Sequence, residues 1–362
     1  MATLRAAWRA WSRYRTFGVT RDAKKEADAE MYKVLYTEVA AELGLSCESL
    51  GPILRLSDGT RHFHAIGPIT DHERLPLNRI CGDKEVTRIL LEKAGFSIPA
   101  GRGFSLDEER AAWAFASQLD GSSVVKPARS TAGGIAVTVN ITTRKAFREA
   151  FWKAGLLSKR VLVEQFVSGE NYRILVLKGR CLSAVHRILP AVTGDGRSTI
   201  DALIDQENAR RVRRQAWKPG DPWLMPLPRD RTARALLRRQ GWALNSVLPE
   251  GMTAVLSEVC NRSYGASHRE VFHEIHPEIL AVSGRIGELF GLVLTGVDLI
   301  APDLSRPDYW INEVNTTPGP VLSYLLDNPE SARNPVHRMV AEYFGRPWPD
   351  ESGPRSQAEG QR

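Results

Sequence analysis

Three oxygen-bearing side chains, Asp298, Glu313 and Asn315, have the types and spacing of a hard-cation site. Asp298 interrupts the apolar run Gly296-Val-Asp298-Leu-Ile300, and the other two stand in Trp310-Ile-Asn-Glu313-Val-Asn315. Alternate residues of an extended strand point to one face, so Glu313 and Asn315 project together. Carboxylate and amide oxygens on neighbouring strands suit Mg²⁺, with Mn²⁺ as a substitute, because hard cations take oxygen ligands and Mg²⁺ shares its sphere with substrate phosphates. Carboxylates buried together with no cation would repel each other. A second signal is Lys126, which closes the apolar stretch Ser123-Val-Val-Lys126-Pro127. An ammonium there is costly unless an anion meets it. The turn that follows carries Ser130, Thr131, Gly133 and Gly134, small residues whose backbone N–H groups can come close to phosphate oxygens.

Strands and helices in alternation are needed to place these groups. A helix is expected over 84–94, with Val86, Ile89 and Leu90 on its apolar side and Gly95 as its cap. Ser105-Leu-Asp-Glu108 is a capping box that opens a helix over 106–119. Strands are expected at 123–127, 135–141 and 160–167, and a hairpin at 171–178 and 180–188 turns at Gly179. Helices are expected at 143–154, 199–208, 230–240, 277–290 and 329–345, with strands at 293–300 and 309–314. Before all of these come a helix at 31–43 and short strands near 52–56 and 62–66. His62 and His64 share a strand face, but no third ligand accompanies them. Interleaved elements of both kinds define an α/β or α+β class. No G-x-x-x-x-G-K-[ST] loop, no G-x-G-x-x-G after a strand and no G-x-S-x-G elbow occurs in the sequence.

Apolar residues make up 43% and charged residues 25% of the 362 residues, which describes a globular chain of two or three domains. No apolar run of about 18 residues is present and no secretory h-region opens the sequence, so neither a transmembrane segment nor a signal peptide is expected. Cys47, Cys81, Cys181 and Cys260 are far apart and read as reduced thiols of a cytoplasmic protein. The net charge of +7 is local, because residues 1–25 carry +6, residues 209–240 carry +8 and the remainder sums to −7. With no nucleic-acid motif alongside, a nucleic-acid partner is not expected. The block 209–240 is a docking surface for an acidic peptide or acceptor, or else a solvated insertion. In the first segment, Leu4, Trp8, Trp11 and Tyr14 fall at helical intervals between arginines. That helix is expected to pack on the protein itself or on the second subunit of a homodimer, with a membrane surface or an acidic partner as the alternative. The tail after Pro349 is polar and expected to be disordered.

Six motifs occur in a telling order. They are Asp83-Lys84-Glu-Val-Thr87 with Ala94-Gly95-Phe-Ser-Ile-Pro99; Val125-Lys126-Pro127; Val163-Glu164-Gln-Phe-Val-Ser-Gly169-Glu-Asn171-Tyr-Arg173; Arg187-Ile-Leu-Pro190-Ala-Val-Thr-Gly194-Asp-Gly196; Asn261-Arg-Ser263-Tyr-Gly265; and Glu313-Val-Asn315 with Pro318-Gly319. Together they resemble the ATP-grasp ligases, in particular the ATP-grasp region of cyanophycin synthetase and the glutathione-synthetase module. The resemblance implies a nucleotide held between two α+β subdomains, at 80–182 and 183–348. A truncated pre-grasp region with an N-terminal helix would occupy 1–79, and a tail 349–362. It implies that Lys84 and Lys126 contact ATP phosphates under a closing loop 129–135. Glu164, Gln165, Phe166 and Val167 would hold adenine, and Asn171 would face the ribose. Asp298, Glu313 and Asn315 would bind Mg²⁺, and the catalytic set would be Arg187, Lys126 and Asn315, since a guanidinium matches planar oxyanions. The implied activity joins a carboxylate donor to an amine acceptor through an acyl phosphate, releasing ADP and phosphate. A phosphotransferase on the same fold, or a nucleotide- or peptide-binding subunit without catalysis, are the alternatives.

Overall fold

The computed structural model describes residues 21–129, 134–211 and 225–347. The segment 4–15, residues Ser130, Thr131 and Gly133, residues 212–224 of the basic block and the tail 349–362 lie outside the described residues. Helix α1 (Arg21–Glu42) leads into an antiparallel meander of β1 (Ser46–Leu50), β2 (Ile53–Ser57), β3 (His62–Ile66) and β4 (Ile69–Thr70). Strand β1 has no counterpart in the sequence reading because it is an almost fully exposed edge without apolar alternation. Met31, Leu35, Tyr36 and Val39 form the apolar stripe of α1 and pack on Leu54, Leu56 and Phe63 of the meander. The same core takes in Leu175, Leu177 and Leu182 from the middle of the chain and Met339 and Val340 near its end, so the N-terminal region has no separate core.

Helices α2 (Leu75–Cys81) and α3 (Lys84–Lys93) come next. Asp83 caps α3, its Oδ1 accepting from the backbone N–H of Glu85 at 3.1 Å and of Val86 at 3.2 Å. A four-stranded sheet of order β5-β8-β6-β7 contains β5 (Gly101–Ser105), β6 (Ser123–Pro127), β7 (Thr138–Ile141) and β8 (Arg160–Gln165), backed by α4 (Glu109–Ala116) and α5 (Arg144–Gly155). The capping box is present, with Ser105 N–H donating to Glu108 Oε2 at 2.7 Å, but it opens a short 3-10 turn before α4.

A five-stranded antiparallel sheet of order β13-β10-β9-β14-β15 forms the other half. Its first strands are β9 (Glu170–Leu177) and β10 (Arg180–Ile188). A small lobe follows, made of β11 (Ala191–Thr193), α6 (Ile200–Arg211), α7 (Arg231–Arg239) and β12 (Thr253–Val255), with its own core of Val192, Ile200, Leu237, Leu248 and Leu256. Strand β13 (Ser267–Glu270), α8 (Pro277–Leu289), β14 (Leu294–Asp303), β15 (Asp308–Asn315) and α9 (Pro335–Tyr343) complete the chain. Helix α8 covers one sheet face through Ile279, Val282 and Ile286, which meet Ile174, Val176 and Val297. The expected break at 182 differs from this arrangement, since it would cut the β9–β10 hairpin, which belongs wholly to this sheet. The chain passes between the sheets at 166–169 instead. Gly169 (φ +151°) is needed there, because a Cβ would lie 2.8 Å from the Ala301 carbonyl carbon.

Among the described residues no helix is long and apolar enough to cross a membrane.

Candidate active site

The cap on α3 fixes the first of the two lysines. Lys84 is the first residue of that helix, and its N–H donates to Ala128 O at 2.9 Å, which ties α3 to the end of β6. Lys126 lies on β6 beside Glu164 on β8. Lys84, Lys126, Glu164, Asn312 and Glu313 thus line one cleft together with Thr87 and Arg88, and its apolar wall includes Leu91, Ile98 and Ile311. The cleft is fully ion-paired. Lys84 Nζ lies 2.8 Å from Glu313 Oε1, and Lys126 Nζ lies 2.6 Å from Glu164 Oε2. Lys126 also donates to Asn312 Oδ1 at 3.4 Å.

Glu164 stands at the end of β8, next to the segment 165–167. Its carboxylate is buried against Lys126 and does not follow the chain into 165–167, because Val124 and Lys126 share the face it occupies. Gln165 and Phe166 are half-buried, and Phe166 N–H donates to Ser122 O at 2.8 Å. Val167 is half-buried beside them. Of the glycine-bearing loop, Gly134 is described. Its φ is +74°, and a Cβ would stand 2.8 Å from Val259 Cγ1, so the loop's far end rests on the segment leading to Asn261.

On the five-stranded sheet Asp298 and Glu313 are direct cross-strand partners, and Asn315 faces Gly296. Asp298, 4% exposed, is shared by two guanidiniums. Arg173 Nε donates to Oδ1 at 2.6 Å and Nη2 to Oδ2 at 2.8 Å, while Arg187 Nη1 donates to Oδ2 at 2.9 Å. Burial pushes this carboxyl upward, but Arg173 and Arg187 outweigh burial and hold it below the usual carboxylate range. A carboxylate offers about four acceptor sites, so three donors leave one for a cation. Arg187 Nη2 also donates to Cys260 O. Asn171 lies across from Arg187 on β9, on the same face.

The donor set fits Mg²⁺ better than a transition metal. Two carboxylates and an amide are present, and no group of three or more His, Cys, Asp or Glu arranged for a metal occurs among the described residues. The side-chain nitrogen of Asn315 is buried with no hydrogen-bond partner, a polar group left open at this point.

Sequence reasoning left Arg173 without a role and passed over His268 and Arg262. Alternation from Asn171 would have placed Arg173 on the site face. His268 sits on a strand too short and polar to read, opposite Arg187 on β10. It is 1% exposed, and its Nδ1 has no partner among the described residues. Burial first, then the charges of Arg187, Arg262, Arg173 and Arg211, push its imidazole down to about 3. The free imidazole takes its proton near 6.5, so the unfolded chain binds that proton first as pH falls. Stability is therefore expected to be full above pH 6.5 and to drain toward pH 3, by about 3 kcal/mol at pH 4.5 from this group. Urea midpoints at pH 7 and 4.5 should converge in His268→Gln relative to the parent; an unchanged pH dependence would contradict the assignment. Arg211, expected in the basic docking surface, is instead interior. It is 6% exposed and donates to Glu207 Oε1 at 2.7 Å, Met225 O at 3.2 Å and Gly265 O at 2.6 Å.

Comparison with solved structures settles the fold. The chain superimposes on a bifunctional glutathione synthetase from Pasteurella multocida with a TM-score of 0.61 at 24% identity, over 87% of this chain and 43% of that one. The chain therefore has the fold of that synthetase over this span. No protein-family model matches it. By sequence this chain is 29% identical over 306 residues to cyanophycin synthetase of Trichormus variabilis, covering 78% of the chain and 33% of that protein. It is 28% identical over 267 residues to the glutathione biosynthesis bifunctional protein GshAB of Streptococcus mutans, covering 70% of the chain and 34% of that protein. The chain therefore spans about a third of the length of the curated relatives it matches. In this fold the lysine cleft lies where the four-stranded sheet meets strand β15 of the five-stranded one.

Proposed function

We propose that the chain is an ATP-dependent carboxylate–amine ligase that forms an amide or peptide bond and releases ADP and phosphate. The observation that carries this reading is the paired cleft: two lysines, each held by a carboxylate that an incoming magnesium nucleotide would replace or recruit. Relatives named for cyanophycin and glutathione synthesis support it. Glu313, Asn315 and the open acceptor site of Asp298 would hold Mg²⁺, and Mn²⁺, with the same taste for oxygen, is proposed as a substitute. When bound, the cation offsets charge on the phosphates.

The chain's own residues supply the rest. Lys84 and Lys126 exchange Glu313 and Glu164 for phosphate oxygens. The donor carboxylate then attacks the γ-phosphorus, ADP leaves, and an acyl phosphate forms. Arg187, anchored by Asp298, presents its guanidinium to the acyl phosphate and steadies the charge that develops at its carbonyl. The amine attacks that carbonyl, phosphate departs, and the amide remains. Water must be kept out, and the loop 129–135 is the proposed lid. Gln165, Phe166 and Val167 are proposed to line the adenine, with Asn171 at the ribose.

The decisive assay pairs amino acids and peptides as carboxylate and amine. ADP release should require both, and the product mass should equal their sum less one water. ADP release with a phosphorylated product and no amide would replace this reading with a phosphotransferase.

An acidic acceptor is proposed to dock on α7, where Arg231, Arg234 and Arg238 are exposed along one face. Changing these three to glutamine should raise the KM of an acidic acceptor about tenfold and spare that of ATP; equal effects on both would sink the docking site. We place the chain in the cytoplasm, in keeping with four free cysteines. A homodimer is proposed as well, and sedimentation of the full chain would distinguish it from a monomer.

A further inference from the structure

Helix α1 reaches the candidate active site through a carboxylate. Asp28, near the start of that helix, accepts from Arg262 Nη1 at 2.5 Å, across 234 residues of chain. The pair is largely enclosed, with side-chain exposures of 25% for Asp28 and 9% for Arg262. One turn further along the same side of α1, Tyr32 is buried, and a Cβ on Gly319 would stand 3.3 Å from its hydroxyl. The helix therefore meets the site at two points, the stretch around Arg262 and the turn that follows Asn315.

The stretch around Arg262 is closed by short-range bonds. Arg262 opens a 3-10 turn, Arg262–Tyr264. Asn261 O accepts from Tyr264 N–H at 2.8 Å and from Ala266 N–H at 3.3 Å, and Arg262 O accepts from Gly265 N–H at 3.0 Å. Asn261 N–H donates to Val259 O at 3.0 Å. Bonds this local make 259–265 one tight unit, so a displacement of Arg262 carries its neighbours with it. At the start of that unit Cys260 grips Arg187 twice: its carbonyl accepts from Arg187 Nη2, and its Sγ–H donates to Arg187 O. Val259, beside it, is the residue on which Gly134 of the glycine-bearing loop rests. At the far end Gly265 O accepts from Arg211 Nη1 at 2.6 Å. Arg262 lies between these two ends, and its bond to Asp28 ties the resting place of the whole unit, Cys260 included, to α1.

We propose that Asp28 is a positioning residue for Arg187. Asp28 holds Arg262, Arg262 holds the unit 259–265, and Cys260 in that unit holds Arg187. Its consequence for turnover rests on the ligase reading, in which Arg187 faces the acyl phosphate. The mechanical linkage does not, since it is read from contacts alone. An Arg187 that has lost its hold would protect the acyl phosphate poorly, and water would return it to carboxylate and phosphate before the amine arrives.

Two readouts on the full chain test the linkage. The first is alkylation by iodoacetamide, read peptide by peptide, with Cys47 on β1 as the internal reference for the seating of α1. Both thiols are half-buried. Asp28→Asn should raise the rate at Cys260 about tenfold and leave Cys47 unchanged, while Asp28→Glu, which keeps the carboxylate, should stay within about twofold of the parent. Arg262→Gln opens the same pair from the other side, and the double variant should be no worse than either single one. The second readout is the ratio of ADP released to amide formed, which an inactive fraction of protein would not move. It should be near one in the parent and rise to about three in Asp28→Asn, with the KM for ATP unchanged. An unchanged Cys260 rate, an equal rise at Cys47, an Asp28→Glu variant as loose as Asp28→Asn, or an unchanged ratio would each overturn the proposal. A parent that forms no amide at all would remove the ligase reading, and the alkylation rates would still decide the linkage.

Discussion

Glu313→Ala is expected to lower magnesium-dependent ADP release about a thousandfold while the protein stays folded. Glu313 is half-buried at the mouth of the cleft, and its visible partner is Lys84. Lys84 retains some solvent access, so losing that partner should cost about 1 kcal/mol or less of stability. The effect on turnover should be far larger, because Glu313 is the carboxylate placed both to take a cation and to let Lys84 go. Initial rates at saturating nucleotide, with circular dichroism to confirm the fold, test the point. Turnover within tenfold of the parent would remove Glu313 from the metal set.

Asp298→Ala should have a different signature. The buried Asp298 neutralises Arg173 and Arg187, and removing it leaves two half-buried guanidiniums without their shared carboxylate. Breaking a buried charge set in this way costs about 3–5 kcal/mol, a large share of the stability of an ordinary domain. A carboxylate that served only as a metal ligand would behave in the opposite way, since its removal relieves repulsion in the metal-free protein. Urea denaturation without magnesium separates the two. A lowered midpoint supports the role of Asp298 as the anchor of Arg187, and an unchanged or raised midpoint contradicts it.

Much of this was legible from residue order. Alternation on a strand put Glu313 and Asn315 on one face, and the helix expected over 84–94 put Lys84 at the head of α3. The partners were not legible, because they depend on sheet order. Strands β9 and β14 are neighbours in the sheet although far apart in the chain, and only that pairing sets Arg173 against Asp298. Likewise, the contact of Glu164 with Lys126 appears only when β8 is laid beside β6. Strand β5 escaped notice because Gly101 and Gly103 read as loop. Both glycines are there for space: a Cβ on Gly103 would fall 2.2 Å from the Glu85 carboxyl, and one on Gly101 would fall 2.7 Å from Glu164 Cγ. Strand β13 was lost for the opposite reason, as four polar residues whose burial comes entirely from their neighbours. The basic block divides in the same manner. Arg211 turns inward to cap carbonyls, while the arginines of α7 stay on the surface.

The central claim is that Lys84 and Lys126 release Glu313 and Glu164 to receive a magnesium nucleotide. Calorimetric titration of the full chain with a non-hydrolysable ATP analogue, with and without magnesium, tests it most directly. Binding should be micromolar with magnesium, at least about tenfold weaker without it, and about a hundredfold weaker in Lys126→Met. Affinity that ignores both magnesium and the lysine would contradict the account.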